Sequence, residues 1–110
     1  TPVDLSTPDL VSNADMSASG TRTISVTQKP RYIVCVMTRY GSSQTDGRCY
    51  ISLVDVARNT SREIERGSSA YDSGTTQSGL TDTVTAVSAS SVTIKNAVSV
   101  TVRSLVMIYY

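Results

Sequence analysis

Acid–base and nucleophilic catalysis need a side chain that titrates near the working pH, with a partner in hydrogen-bond reach. The 110-residue chain contains no histidine. Glu63 and Glu65 stand two apart in Arg62-Glu63-Ile64-Glu65-Arg66, so on a strand both carboxylates point to one face, about 7 Å apart. That spacing falls in the range of a glycosidase pair. Arg62 and Arg66 take the other face with Ile64 as its apolar residue, which is the pattern that protects an exposed edge strand, and an edge strand is the expectation. The chain has no Gly-x-Ser-x-Gly elbow, no phosphate-binding glycine loop and no Cys-x-x-Cys, so neither a catalytic residue nor a cofactor is expected.

Other groups suit binding rather than catalysis. Hard oxygen ligands make calcium the one metal to weigh. Asp46 beside Gly47 and Asp72 near Gly74 belong to no repeated acidic motif; turn formation accounts for both, and no metal site is expected. Tyr40 and Tyr71, with Gln77 near them, are the residues that would form a loop surface for a sugar or a protein, against the plainer alternative that the tyrosines pack on the rim. Cys35 and Cys49 fall on consecutive predicted strands and would face each other if the hairpin folds about Ser42. A cross-strand disulfide is then geometrically allowed, and free buried thiols are the alternative. Asn59-Thr60-Ser61 is a glycosylation sequon that matters only on a eukaryotic secretory route and otherwise reads as a turn.

These residues need elements to hold them, and the elements read as strands. From Arg22 onward apolar residues recur with a period of two, broken by turn clusters, and no run of about ten residues keeps helical spacing. Strands are predicted over Arg22–Gln28, Arg31–Tyr40, Arg48–Arg58, Arg62–Arg66, Thr81–Val87, Ser91–Lys95 and Val98–Tyr110. The joints carry turn chemistry, among them Lys29-Pro30, Asn59 and Ser88-Ala89-Ser90. Gly67 to Gly79 is a polar connection of unusual length. Short strands with connections too brief for helical crossovers imply an all-β antiparallel β-sandwich of about seven strands, with jelly-roll and immunoglobulin-like orders both open.

Composition divides the chain into residues 1–20, an extended N-terminal arm, and residues 21–110, the β-sandwich domain. The arm holds Asp4, Asp9 and Asp15 and no base, whereas residues 21–50 hold Arg22, Lys29, Arg31, Arg39 and Arg48 against Asp46. The arm either frays or lies on its own domain, or it reaches a neighbouring subunit. A sandwich strand shows one apolar face and one polar face, but Tyr32-Ile33-Val34-Cys35-Val36-Met37 and Leu105-Val106-Met107-Ile108-Tyr109-Tyr110 are apolar on both. Leaving several such side chains wet, at ~25 cal/mol per Å², forfeits several kcal/mol. Either the arm covers the second face through Val3, Leu5, Leu10 and Val11, or that face is buried between identical subunits, a dimer or trimer, with Tyr32, Val34, Val36, Leu105, Met107 and Tyr109 at the interface.

Serine and threonine make up 33 of 110 residues, and tyrosine is the only aromatic. Net charge is +1, which argues against a nucleic-acid partner, and no apolar run approaches the ~20 residues of a membrane helix. Thr23-Ile24-Ser25-Val26, Tyr32-Ile33-Val34-Cys35-Val36, Val92-Thr93-Ile94-Lys95-Asn96 and the closing Val106-Met107-Ile108-Tyr109-Tyr110 resemble the short β-rich virion proteins of tailed phages and prophages. The resemblance implies a non-enzymatic structural subunit of a tail, fibre or capsid decoration, located in the virion, with itself and other virion proteins as partners. The alternative is a carbohydrate- or protein-binding module of a bacterial surface or secreted protein.

Overall fold

A computed structural model of the chain describes residues 4–39, 49–66, 70–72, 76–98 and 100–110, with the side chains of residues 39, 65, 66 and 70–72 outside the description. The described residues form β1 (Leu10–Met16), β2 (Thr21–Ser25), β3 (Tyr32–Arg39), β4 (Cys49–Asp55), β5 (Thr60–Arg66), β6 (Ala70–Asp72), β7 (Gln77–Ser78), β8 (Val84–Val87), β9 (Ser91–Lys95) and β10 (Val102–Tyr109). The larger sheet runs β1-β10-β3-β4-β5, with β6 and β7 both on the far edge of β5; the smaller runs β2-β9-β8. Every pairing is antiparallel. The two sheets close on one core, giving the antiparallel β-sandwich expected.

Alternation decides what enters that core. The larger sheet contributes Met16, Ile33, Cys35, Met37, Val54, Val102, Val106 and Ile108; the smaller contributes Ile24, Val84, Val92 and Ile94. Ile33, Cys35, Val92, Ile94, Val102, Val106 and Ile108 are wholly shielded from solvent. Branched aliphatic residues at every second position both favour the extended backbone and fill the space between the sheets. Polar residues also share the inner layer. Arg22 on β2 crosses to the larger sheet, donating to the Ser12 hydroxyl and, at 2.9 Å, to Ser104 Oγ, while Ser104 Oγ donates to the Ala14 carbonyl at 2.9 Å. Burial lowers the Arg22 pKa, the expected direction for a cation drawn out of water.

The connections between sheets are pinned by specific bonds. Asn96, wholly buried, donates through Nδ2 to the carbonyls of Ser17 (3.0 Å) and Val100 (2.8 Å) and accepts from the Val98 N–H at 3.1 Å. It thereby ties the β1–β2 crossover to the β9–β10 crossover. Within the β4–β5 hairpin Asn59 adopts φ 53°, which asparagine tolerates better than most residues, and Asp55 Oδ1 accepts from the Arg58 N–H at 3.2 Å. Tyr110 is held by Asp9 Oδ2 on its N–H (2.8 Å) and by Arg31 Nε on its carbonyl (2.6 Å).

Several expectations change. The segment expected as an extended arm contains a full strand: β1 pairs with β10 from Leu10↔Ile108 to Met16↔Val102, so residues 10–16 belong to the sandwich body. The connection from Gly67 to Gly79 contributes β6 and β7. As a result β5 is not an edge strand, because β4 lies on one side of it and β6 and β7 on the other.

Candidate functional site

The outer face of the larger sheet gathers the residues expected at a subunit contact. Register decides this: Val34 pairs with Met107 and with Leu53, and Val36 pairs with Leu105 and with Ile51. Directly paired residues share a face, so two neighbouring rows cross the sheet. One runs Val11, Met107, Val34, Leu53, Arg62; the other runs Asn13, Leu105, Val36, Ile51, Ile64. Val11 remains 54% exposed and Leu53 37%, while Val34, Val36, Ile51, Ile64, Leu105 and Met107 are half-buried by one another.

The rim of this face is polar. Arg103 Nε lies 3.1 Å from Asp15 Oδ1 on an exposed corner. At the opposite end Leu5, Tyr32, Val34, Leu53 and Arg62 surround a depression of about 260 Å³. Leu5 is placed there by a turn in which Asp4 Oδ1 accepts from both the N–H (3.0 Å) and the hydroxyl (2.6 Å) of Ser6. Those bonds, with Thr7, hold the Asp4 carboxyl below its usual pKa.

Of the expected interface residues, Tyr32, Val34, Val36, Leu105 and Met107 are thus brought together. Tyr109 is paired with Tyr32 but is only 1% exposed, because its hydroxyl donates to the Leu5 carbonyl at 2.6 Å beneath the N-terminal turn. It is a buried anchor and not a contact residue. The N-terminal residues cover the face only at that end. Leu5 shields Tyr109, Leu10 turns inward against the core, Val11 stands exposed, and Val3 lies outside the described residues. Ile51, Leu53 and Ile64 were not expected at the site. Their signal was present, since Tyr50-Ile51-Ser52-Leu53-Val54 is apolar on both parities apart from Ser52.

The other candidates are dispersed. Tyr40 lies outside the described residues, as does the Tyr71 side chain. Gln77 is exposed on β7 and spends its Nε2 on the Leu80 carbonyl at 3.2 Å. Glu63 takes the inner face, where Ser52 Oγ donates to its Oε1 at 3.4 Å. Cys35 and Cys49 do not bond: the register sets Cys35 against Ser52 and Cys49 against Thr38, so the two are out of step and on opposite faces, and both are free thiols.

Burial pushes the Cys35 thiol from an ordinary 9.0 up to about 12, against a smaller downward pull from the Arg22 charge. It stays protonated and is no nucleophile at neutral pH. Because the folded-state pKa is raised, its contribution to stability is complete below pH 9 and is lost as pH climbs toward 12. The melting temperature of the native chain is therefore expected to fall more steeply between pH 9 and pH 11 than that of Cys35→Ala, by several degrees in calorimetry. Parallel curves would contradict it.

Comparison of the chain with protein-family models gives no match, and neither curated proteins nor solved structures show significant similarity to it.

Proposed function

We propose that the chain is a non-enzymatic assembly protein that self-associates through the outer face of its larger sheet and serves as a structural subunit of a larger particle such as a phage virion. The observation that carries this reading is the pair of apolar rows, Val11-Met107-Val34-Leu53 and Leu105-Val36-Ile51-Ile64, on a face with no second layer among the described residues. Five strands ~4.8 Å apart and ~27 Å long present about 650 Å², close to the ~800 Å² that each partner contributes to a standard interface. An apolar centre with a rim carrying both signs of charge, Asp15 and Arg103 at one end and Arg62 at the other, suits a second copy of the same surface. The placement on a virion is supported by the β-rich sequence style alone; a bacterial surface or extracellular setting uses the same face.

Light scattering and sedimentation test the reading. The chain is expected to run as a dimer or trimer at micromolar concentration. Val34→Glu, which places a carboxylate at the centre of the apolar rows, is expected to weaken association at least about a hundredfold, or ~2.7 kcal/mol, while circular dichroism stays native. A native chain that remains monomeric at about 100 µM, well above the Kd of a stable oligomer, sinks the proposal.

A further inference from the structure

We infer that the free edge of β1 is a second self-association surface, on which β1 of another copy adds antiparallel about a twofold axis through Asn13. This contact is separate from the apolar outer face and does not rest on it. Among the described residues the two sheets end on β1, on β6 and β7, on β2 and on β8. An open edge invites another strand unless it is short, bulged, charged or interrupted by proline.

Three of those edges carry such protection. β6 and β7 span three and two residues. β8 has four residues and a register shift between Val84 and Ala86. β2 turns a charge inward, since Arg22 reaches Ser12 and Ser104 on the larger sheet. β1 has none of this. Its seven residues keep unbroken register with β10, and Leu10-Val11-Ser12-Asn13-Ala14-Asp15-Met16 contains no proline, lysine or arginine. Asp15, its one charge, lies 3.1 Å from Arg103 on the neighbouring strand.

The sequence of β1 fits a second copy of itself. A twofold axis normal to the sheet pairs residues of the same parity, so inward side chains stay inward and outward ones outward. With the axis at Asn13 all seven residues pair: Leu10 meets Met16 of the second copy, Val11 meets Asp15, and Ser12 meets Ala14. Moving the axis by one residue leaves five paired. Asn13 is exposed on the outer face, and its amide both donates and accepts, so two copies facing each other across the axis bond reciprocally. The two Asp15 carboxylates fall about 13 Å apart, four residues along the strand at ~3.3 Å each and beyond the ~8 Å screening length at physiological salt. An edge ~24 Å long and ~10 Å deep presents about 240 Å², less than a third of a standard partner's ~800 Å². The contact is therefore weak alone, with a Kd of about 1 mM. Both outer faces lie on the same side of the merged sheet, so the contact adds to face-to-face association and builds assemblies beyond a dimer.

Cysteine cross-linking in the Val34→Glu background, where face association is weakened, tests the register. Asn13→Cys is expected to give a disulfide-linked dimer under mild oxidation, mapped to position 13 by mass spectrometry, because directly opposed residues have Cβ atoms ~4.5–5.5 Å apart. Val11→Cys, about 13 Å from its own copy, is expected to give at least tenfold less link at position 11. Amide NMR shifts of β1 are expected to move with concentration up to about 2 mM, as a millimolar Kd requires, and Asn13→Lys to reduce that movement at least threefold. Absence of a link at position 13 in a natively folded chain overturns the inference, as do links formed equally at positions 11 and 13, or β1 shifts that ignore concentration. Should Val34→Glu fail to fold, the two cysteine variants in the native chain decide the matter by the same mapping. Failure of the face reading leaves the link at position 13 intact, so the two failures are distinguishable.

Discussion

Deleting residues 1–16 is expected to abolish cooperative folding, whereas deleting residues 1–8 is expected to lower the melting temperature by only about 5 °C, the equivalent of ~1 kcal/mol in a domain of this size. The difference lies in β1. The longer deletion removes a strand paired along its full length with β10 and takes away Met16, 4% exposed in the core. Losing one such side chain costs ~2–5 kcal/mol. It also uncovers the edge of β10, whose Val102, Ser104, Val106 and Ile108 are wholly buried, and it strips Arg22 of Ser12 and Ser104 of the Ala14 carbonyl. A buried guanidinium that loses acceptors is costly in itself. Against a total stability of ~5–15 kcal/mol these losses leave little. The shorter deletion removes the Tyr109–Leu5 bond and the Asp9 carboxylate remains on the Tyr110 N–H. Urea unfolding followed by circular dichroism separates the two; a 1–16 deletion that melts cooperatively near the native temperature would show β1 to be dispensable. Loss of oligomer on removing the whole N-terminal segment would therefore report unfolding, so the point substitution Val34→Glu is the cleaner probe of assembly.

That β1 escaped the sequence has a physical reason. In Leu10-Val11-Ser12-Asn13-Ala14-Asp15-Met16 the inward parity holds Leu10 and Met16 but also Ser12 and Ala14, because the space between them is filled by the Arg22 side chain and Ser104 instead of hydrocarbon. A strand that packs on a buried guanidinium shows little hydrophobic alternation. The seven strands that were legible, β2 through β5 and β8 through β10, carry a period of two, mostly from aliphatic residues and in β5 from charged residues alternating about Ile64. β6 and β7 span three and two residues, too short for any period. The register of β3 on β4 was out of reach for a different reason: Gly41-Ser42 and Asp46-Gly47 both lie between them and either can host a turn, so a hairpin about Ser42 and the observed pairing are equally compatible with the sequence. The error in register carried directly into the Cys35–Cys49 expectation. The apolar outer face was legible because it depends on parity within a strand, which register does not alter, and register then added β4 to it.

Asn96→Ala is expected to cost about 3 kcal/mol, because three part-buried backbone groups lose their partners together and each unsatisfied group costs ~1–3 kcal/mol, partly offset by local adjustment and by water. The Ser17 and Val100 carbonyls lose the donors they now have at 3.0 and 2.8 Å, and the Val98 N–H loses its acceptor at 3.1 Å. These groups sit on two different crossovers between sheets, so the damage spreads beyond one turn: backbone bonds from the Asn96 N–H to the Gly20 carbonyl at 2.9 Å and from the Ser19 N–H to the Val98 carbonyl at 3.4 Å are then what holds the corner. Asn96→Asp sharpens the test, since an ionised carboxylate keeps the acceptor for Val98 but faces two carbonyls with no proton to offer. Its folded-state pKa must rise above the unfolded ~3.9, so its stability is greatest below that value and is lost as pH rises through the folded pKa. The aspartate variant should therefore be nearer to the native chain at pH 4 than at pH 7, while the alanine variant shows no such recovery. Denaturant midpoints at the two pH values measure both. An alanine variant within about 0.5 kcal/mol of the native chain, the scatter of an ordinary surface substitution, would mean that Asn96 fills space at the corner without tying the crossovers together.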